Sequence, residues 1–158
     1  MKLVIDGGNT NQKKAIEEML PWLVKKLMPR LIDTIEITVS IYNMLGEEGC
    51  WAGCEPDIEY LKNVRPRRFS VGIHNKLKMV DFRLGLCHEL VHMMQHAKGR
   101  LYHYTNGDTR WKDKIYQDYD PDNDLVYWEV PWEEEARGKE HGLFQHWLAY
   151  KKGLHKKK

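Results

Sequence analysis

The residues of this chain best suited to chemistry are His88, Glu89 and His92, which form the motif His-Glu-Leu-Val-His. On an α-helix, residues four apart lie one turn apart on the same face, so both imidazoles can reach one metal ion. Glu89 is turned by about 100° from His88 around the helix axis, which places its carboxylate beside a metal-bound water. Two histidine ligands with an adjacent carboxylate base are typical of the central helix of zinc hydrolases.

The residues around this motif predict a helix that is buried over most of its circumference. Within 80–97, nearly all positions away from the histidine face are apolar. Such a helix belongs in a protein core. Its imidazoles and its carboxylate need partners there, and a metal ion supplies one. The alternative to a metal site is a core helix with two hydrogen-bonded histidines.

A catalytic zinc site needs a third protein ligand, which must come from another part of the chain. Pro131 and the three glutamates that follow Trp132 predict the start of a helix that runs to about Tyr150. On this helix Glu133 falls inside the apolar stripe, whereas Glu134 falls outside it. A carboxylate on a buried face requires a cation, so Glu133 is the predicted third ligand.

Three other side chains remain open as the third ligand. Glu135 follows Glu133 closely but lies outside the apolar stripe. Glu140 lies within the stripe, and it can instead pair with Arg137 or hold a ligand histidine from behind. His96 shares the histidine face, but it is two turns from the first histidine of the motif, about 12 Å along the axis.

The motif His88-Glu89-x-x-His92, followed far downstream by Glu133-x-x-Ala136, resembles the zinc metallopeptidases called gluzincins. It is most similar to their small minimal forms, the minigluzincins, and to metallopeptidases encoded by bacteria and their phages. The stretches Cys-His-Glu-Leu-Val-His-x-x-Gln and Pro-Trp-Glu-x-Glu-Ala add to this likeness. The resemblance implies that His88, His92 and Glu133 bind Zn²⁺ and that Glu89 acts as general base in peptide hydrolysis.

The same resemblance implies an α+β, zincin-like fold. Its parts would be an N-terminal helix, a small twisted sheet whose edge strand borders the active site, the motif helix and a C-terminal ligand helix. Many gluzincins carry an acidic residue directly after the alanine, where this chain has Arg137. They also use a tyrosine or a histidine to steady the transition state. The candidates for that role here are Tyr116, Tyr119, Tyr127, His103 and His141.

The elements that must position these residues follow from local patterns. Thr10 or Asn11 caps a predicted helix that runs to about Met28, and Pro21 predicts a kink or two short helices. Alternation of apolar and polar residues predicts one strand over 34–42 and a second over 68–76. The part of the second strand from Arg68 to His74 is a candidate to hold substrate as an added β-strand.

The remaining segments are predicted to lack regular structure. Residues 45–56 are rich in glycine and predict a loop, and 57–63 predict a helical turn. Residues 99–130 predict a long aromatic and acidic loop of the kind that is usually functional. The acidic segment 118–129 is close to calcium-loop spacing, but Asn123 replaces the glycine of the turn, which favours a solvated acidic turn.

Length and composition predict one domain over residues 1–150 and a basic, frayed tail over 151–158. The net charge of +2 gives no reason to expect a nucleic-acid partner. No apolar run is long enough for a membrane helix, and the first residues lack the apolar region of a signal peptide, so a cytoplasmic location is predicted. Cys87 is predicted to be buried. Cys50 and Cys54 are open to a structural metal, a disulfide or two reduced thiols.

The sequence therefore predicts a zinc-dependent peptidase that acts on a peptide or protein. Two other functions remain open. One is a zinc hydrolase of a non-peptide amide, and the other is a non-catalytic binding module that keeps zinc for its fold. The presence of Glu89 argues against the binding module, because a purely structural site has no need of a base. Neither the cleavage specificity nor the oligomeric state follows from the sequence.

Overall fold

Three helices and seven strands are present in the described part of the chain, which comprises residues 1–43, 51–57, 65–117 and 128–154 of a computed structural model. Their order is β1 (Lys2–Gly7), α1 (Thr10–Leu27), β2 (Glu36–Tyr42), β3 (Ala52–Pro56), β4 (Arg68–His74), α2 (Met79–Ala97), β5 (Leu101–His103), β6 (Thr109–Trp111), β7 (Lys114–Tyr116) and α3 (Pro131–Lys151). The α+β class predicted from the sequence is confirmed. None of the described helices is long and apolar enough to cross a membrane.

The main sheet has the strand order β1-β2-β4-β3. Strands β1, β2 and β4 run parallel to one another. β3 pairs antiparallel with β4 at the edge of the sheet. The alternation in β2 and β4 turns their apolar residues toward one face, and the residues between them toward the other. The buried residues on these two strands are Ile37, Val39, Ile41, Phe69, Val71 and Ile73.

Helix α2 lies in the middle of the core, in contact with β3 and β4, with α1 and with α3. Its apolar residues are almost all buried, as the sequence predicts, and Leu86 and Leu90 have no exposed surface. Helix α3 packs along α2 and buries Ala136 completely, because the small alanine side chain lets the two helices approach closely. This packing brings the predicted ligand helix against the motif helix.

The predicted long loop over 99–130 is wrong for its first half, because 101–116 form the three-stranded antiparallel sheet β5-β6-β7. Each of these strands has only three residues, which is too short for an alternating pattern to be recognised. The pair Asn106-Gly107 between β5 and β6 is the kind of turn signal that could have revealed the first hairpin. The sheet packs against the start of α3 through a small second core formed by Leu101, Trp111, Val130 and Trp132.

Two strands of the main sheet were not predicted. β1 precedes the N-terminal helix, and only Leu3 and Ile5 of this strand pack against the core. Two apolar positions are too few to signal a strand. β3 lies within the predicted loop over 45–56, because pairing with β4 outweighs the poor strand preference of Gly53 and Pro56.

Helix α1 begins at a different cap from the one predicted. Asn9 rather than Thr10 or Asn11 is the N-cap, because its side-chain oxygen accepts hydrogen bonds from the backbone N–H groups of Asn11 and Gln12. The Gln12 side chain in turn accepts a hydrogen bond from the Asn9 N–H. The helix continues through Pro21 as a single element, so the prediction of two short helices is wrong. Packing of its apolar face in the core outweighs the local preference.

Some predictions concern the ends of the described segments. Lys151, expected in a frayed tail, is the last residue of α3 and pairs with Glu18 at 2.9 Å. Cys54 is a free cysteine, which argues against the predicted alternative of a disulfide, and Cys87 is buried as predicted. Cys50, residues 58–63 of the turn predicted over 57–63, residues 118–127 of the acidic segment 118–129 and the last four residues of the chain lie outside the described residues.

The backbone at the end of β1 gives a test of this fold. Gly7 has a φ of +69°, and a Cβ atom there would lie 2.2 Å from the carbonyl oxygen of Ile41. We expect Gly7→Ala to lower the free energy of unfolding by at least about 1 kcal/mol. Gly138→Ala is the matched control, because it lies in α3 with open space around it, and we expect it to raise stability by roughly 0.5–1 kcal/mol.

Urea denaturation of both variants measures these changes. A Gly7→Ala variant as stable as the wild type would contradict the close approach of β1 and β2 at this position.

Candidate metal centre

Three side chains from two helices converge in the core between α2 and α3. His88 Nε2 lies 3.0 Å from His92 Nε2. Glu133 places Oε2 at 3.2 Å from His88 Nε2 and Oε1 at 3.2 Å from His92 Nε2. His92 and Glu133 are buried and His88 is nearly so. The structure thus brings together the three residues predicted as ligands into a cluster that could hold a metal ion.

The hydrogen bonds behind the two histidines determine which ring nitrogen faces the cluster with a lone pair. His88 Nδ1 donates to Glu140 Oε2 at 2.8 Å, since a carboxylate only accepts. His92 Nδ1 lies 2.9 Å from Gln95 Oε1. The Gln95 amide nitrogen donates to the Trp132 carbonyl, so Gln95 Oε1 is free to accept from His92. In the neutral imidazoles, both Nε2 atoms therefore carry lone pairs toward each other and toward the carboxylate.

This arrangement of acceptors calls for a cation. Two lone pairs 3.0 Å apart repel each other, and a carboxylate beside both adds negative charge. Glu133 Oε2 is buried and has no hydrogen-bond partner in the described part of the chain. Ligand atoms at tetrahedral positions around zinc, about 2.0 Å from the ion, lie about 3.3 Å from one another. The observed separations of 3.0, 3.2 and 3.2 Å therefore fit a bound ion of this size.

The start of α3 is held in place by residues around Trp132. The Trp132 ring is almost fully buried in the second small core, and it packs edge-on against Tyr116 with ring centroids 5.3 Å apart. The Trp132 carbonyl accepts a hydrogen bond from Gln95 Nε2 at 2.9 Å. The same amide nitrogen donates to Glu135 Oε2 at 3.1 Å, and Glu135 also pairs with Arg100. These contacts fix the position of the next residue, Glu133, relative to α2.

Glu140 is the hydrogen-bond partner of His88 and does not take the place of Glu133 in the cluster. Its carboxylate bonds Nδ1, on the side of the ring away from the cluster, and also contacts the exposed His141 at 3.2 Å. A carboxylate behind a metal-binding histidine fixes the orientation of the ring and raises its basicity. The sequence leaves three roles open for Glu140: the third ligand, a pair with Arg137 or a hydrogen bond to a histidine of the motif. The structure shows the hydrogen bond to a histidine.

Arg137 occupies the position where many gluzincins carry an acidic residue. Its guanidinium lies 3.7 Å over the Trp128 ring and donates to the Trp128 carbonyl at 3.2 Å. Its Nη2 lies 3.7 Å from Glu133 Oε2. The cation therefore faces the outer side of the Glu133 carboxylate, and Glu140, one turn later, provides the carboxylate behind His88.

The other ligand candidates lie outside the cluster. His96 is buried against His103, with ring centroids 5.4 Å apart. Burial and the nearby His103 lower the pKa of His96 to about 3, so its ring stays neutral. Glu135 is engaged by Arg100, Gln95 and Lys139. Neither side chain is free to turn toward the two histidines of the motif.

Glu89 is buried, next to the cluster but not part of it. Burial raises the pKa of Glu89, and the two histidines lower it without cancelling that effect. The edge strand β3 borders this side of α2, where Gly85 lies close to Ala52. Burial and the charge of Glu89 raise the pKa of the Cys54 thiol on the same strand. The carboxylate thus lies between the cluster and the edge strand.

The charges within the metal-free cluster favour retention of a proton. Burial lowers the pKa of His88, but the carboxylates of Glu133, Glu89 and Glu140 outweigh it and raise the pKa to about 9. Burial likewise raises the pKa of Glu133, and the two histidines bring it far below its usual range. The carboxylates therefore favour the protonated form of His88, and the two histidines favour the ionised form of Glu133.

The candidates for a residue that steadies the transition state are placed as follows. His103 and Tyr116 both pack against Trp132, with ring centroids 6.5 and 5.3 Å away. His103 is exposed, and its Nδ1 is held by the hydroxyl of the buried Thr109 at 2.9 Å. His141 faces away from the cluster, on the far side of Glu140. Tyr119 and Tyr127 lie outside the described residues.

Comparison with protein families, curated proteins and solved structures finds no match to this chain. The resemblance to gluzincins therefore depends on the motif residues themselves. What the geometry adds is the position of those residues relative to one another.

Removal of Glu133 tests its assignment as third ligand. We expect Glu133→Ala to weaken zinc binding by more than about 100-fold. Loss of a residue that only hydrogen-bonds to a metal ligand already lowers metal affinity by about 10–100-fold. Glu134→Ala, one residue away but exposed, is expected to retain one zinc per chain. Competition with a chromophoric chelator measures the zinc affinity, and elemental analysis after dialysis against metal-free buffer measures the zinc content. Equal zinc content in the two variants would move the ligand to Glu135 or Glu140.

The raised pKa of His88 predicts how metal affinity depends on pH. Because its pKa of about 9 lies above the usual 6.5, a metal ion must displace a proton from this ring below pH 9. The apparent zinc affinity should rise by up to about tenfold per pH unit toward pH 9 and then level off. Titration against a chromophoric chelator of known pH dependence measures it. Equal affinity at pH 6.5 and 9 would contradict the protonated cluster.

Proposed function

We propose that this protein is a zinc-dependent metallopeptidase. One observation carries the proposal: two imidazole nitrogens and a carboxylate oxygen converge in the core, while a second buried carboxylate, Glu89, lies beside them. A structural zinc site is closed by four protein ligands. A cluster of three with an adjacent base is the arrangement of catalytic sites.

The donor set favours zinc over other common cations. Magnesium and calcium prefer six or more oxygen ligands, and this cluster offers two nitrogens and one carboxylate. Zinc takes two imidazoles and one carboxylate in a tetrahedral arrangement with one open position. When bound, it would polarise a substrate carbonyl and lower the pKa of a water molecule at that position to about 7.

Glu89 is the residue of this chain that would move the proton. Its raised pKa brings the carboxylate closer to the pH at which it works, which suits a general base. It would accept the proton of the attacking water and then deliver it to the leaving amine nitrogen. His88 and His92 hold their positions through Glu140 and Gln95, so they are oriented before substrate arrives.

The strand that would bind substrate is not the one predicted from the sequence. β4, which spans Arg68–His74, is paired with β2 on one side and β3 on the other, so it has no free edge. β3 is the edge strand on the side of the metal ligands, since it packs against α2. The backbone of Gly53 is turned toward β4, so that of Cys54 points outward, where an extended peptide can add as a further strand.

Two residues near the start of α3 are candidates to steady the developing negative charge on the substrate. His103 and Tyr116 lie on the small sheet and pack against Trp132, directly before the ligand Glu133. Of the two, His103 is the more exposed and is held by Thr109, which leaves its second ring nitrogen to donate. We therefore favour His103 for this role.

Glu89→Gln separates chemistry from metal binding. Glutamine retains the size of the side chain but cannot accept the proton, so we expect hydrolysis of a peptide library to fall by about 10²–10⁴-fold. Zinc content and melting temperature should remain those of the wild type. Glu134→Gln, on the exposed side of α3, is the matched control and should retain full activity.

The outcomes of this experiment distinguish the alternatives. No cleavage of any peptide by the zinc-loaded wild type, with hydrolysis of a non-peptide amide, would replace the peptidase by an amide hydrolase. Loss of zinc from Glu89→Gln would show that Glu89 is a ligand. Hydrolysis unchanged by Glu89→Gln would reject its role as base. Full zinc content without any hydrolysis would favour a binding module.

A further inference from the structure

A second group of charged side chains lies away from the metal centre, where α1 and α2 both end. An open cavity of about 500 Å³ is bounded there by the end of α1, the residues that lead into β4 and the end of α2. None of its lining residues belongs to the metal cluster. Ala97, on its wall, lies five residues beyond His92, which is about 7.5 Å along the helix axis.

The cavity is lined by four cationic side chains and by no acidic side chain among the described residues. The cationic residues are Arg30, Arg65, Arg67 and Lys98. The net charge of the whole chain is only +2, so this is a strong local concentration of positive charge. Like charges that line one cavity repel one another, and a bound anion would reduce that repulsion.

Arg67 has a structural role that accounts for its own charge. Its Nη1 donates to the carbonyl of Ala97 at the end of α2 at 2.8 Å, and to the carbonyls of Arg65 and Pro66 at 3.0 and 2.9 Å. This guanidinium therefore ties the entry of β4 to the end of α2. It makes one wall of the cavity rigid before any ligand binds.

The ends of the two helices do not account for the other three cations. Each helix C-terminus carries about −0.5 of an elementary charge, so the two together contribute about −1. Four cations against that charge leave an excess of about +3. Arg30, Arg65 and Lys98 are exposed and have no ion-pair partner within the part of the chain that the structure describes. Their charged groups are available to a ligand.

We propose that this cavity binds a small organic phosphate of about nucleotide size. Arginine presents a planar fork that matches phosphate oxygens, and lysine adds a mobile point charge. The apolar surface for the organic part of the ligand comes from Pro29, which is exposed, and Leu31, which is half-buried. A volume of about 500 Å³ lies within the usual range for small-molecule sites.

Calorimetric titration with ADP tests the proposal at physiological salt. ADP should bind with one site per chain, pyrophosphate more weakly because it lacks the organic part, and adenosine not at all. Arg65→Ala and Lys98→Ala should each weaken ADP binding about tenfold or more, as expected for loss of a charge-assisted hydrogen bond. Both side chains are exposed, so neither substitution is expected to disturb the fold.

Two controls make the result specific. Lys13→Ala removes an exposed cation near the other end of α1, about 22 Å from Met28, and should leave ADP affinity unchanged. His88→Ala should also bind ADP as the wild type does, which excludes binding of phosphate to a metal ion at the cluster. Unchanged affinity in Arg65→Ala and Lys98→Ala, or no ADP binding by the wild type, would overturn the proposal. Equal affinity for ADP and pyrophosphate would overturn its organic part.

Discussion

The electrostatic repulsion among three buried acceptor atoms is the constraint on which the centre of this structure depends. Two imidazole lone pairs and a carboxylate face one another at 3.0–3.2 Å, and little of the three side chains is exposed. Such an arrangement is stable only with a cation between the atoms or with a proton on a ring. The hydrogen bonds that the histidines donate to Glu140 and Gln95 hinder rotation of the rings, because each bond holds the Nδ1 atom on the side away from the cluster.

The two cores of the protein meet at this point. Helix α2 carries the histidines within the main core, and Trp132 anchors the start of α3 in the smaller core under β5-β6-β7. Gln95 connects them, since one amide holds the His92 ring and the Trp132 carbonyl. A shift of the small sheet would therefore move Glu133 relative to the histidines. The small sheet β5-β6-β7, whose sequence shows no obvious periodicity, therefore helps to position one of the three clustered side chains.

The sequence predicts those parts of the fold in which a residue pattern is compatible with only one kind of structure. Helical periodicity placed Glu133 on the buried face of α3 and Glu134 outside it, as observed. It could not choose among the partners of Glu140, because that choice depends on how α3 is rotated against α2. The strands β1 and β3 were missed because they pair through contacts distant in sequence, and β5 to β7 were missed because each has only three residues. Pairing also determined that β4 is interior and β3 is the edge, which no local pattern encodes.

The contacts of the main core and of the cluster indicate whether a bound metal ion would stabilise the fold or serve the chemistry. The main core holds buried apolar residues from all three helices and from β2 and β4, which is far more than small zinc-dependent domains possess. A proton on an imidazole would relieve the same repulsion as a cation, in agreement with the raised pKa of His88. We infer that metal uptake exchanges for a proton within a folded protein and does not drive folding. Under the proposed function, a metal ion that the fold does not need would serve the reaction beside Glu89.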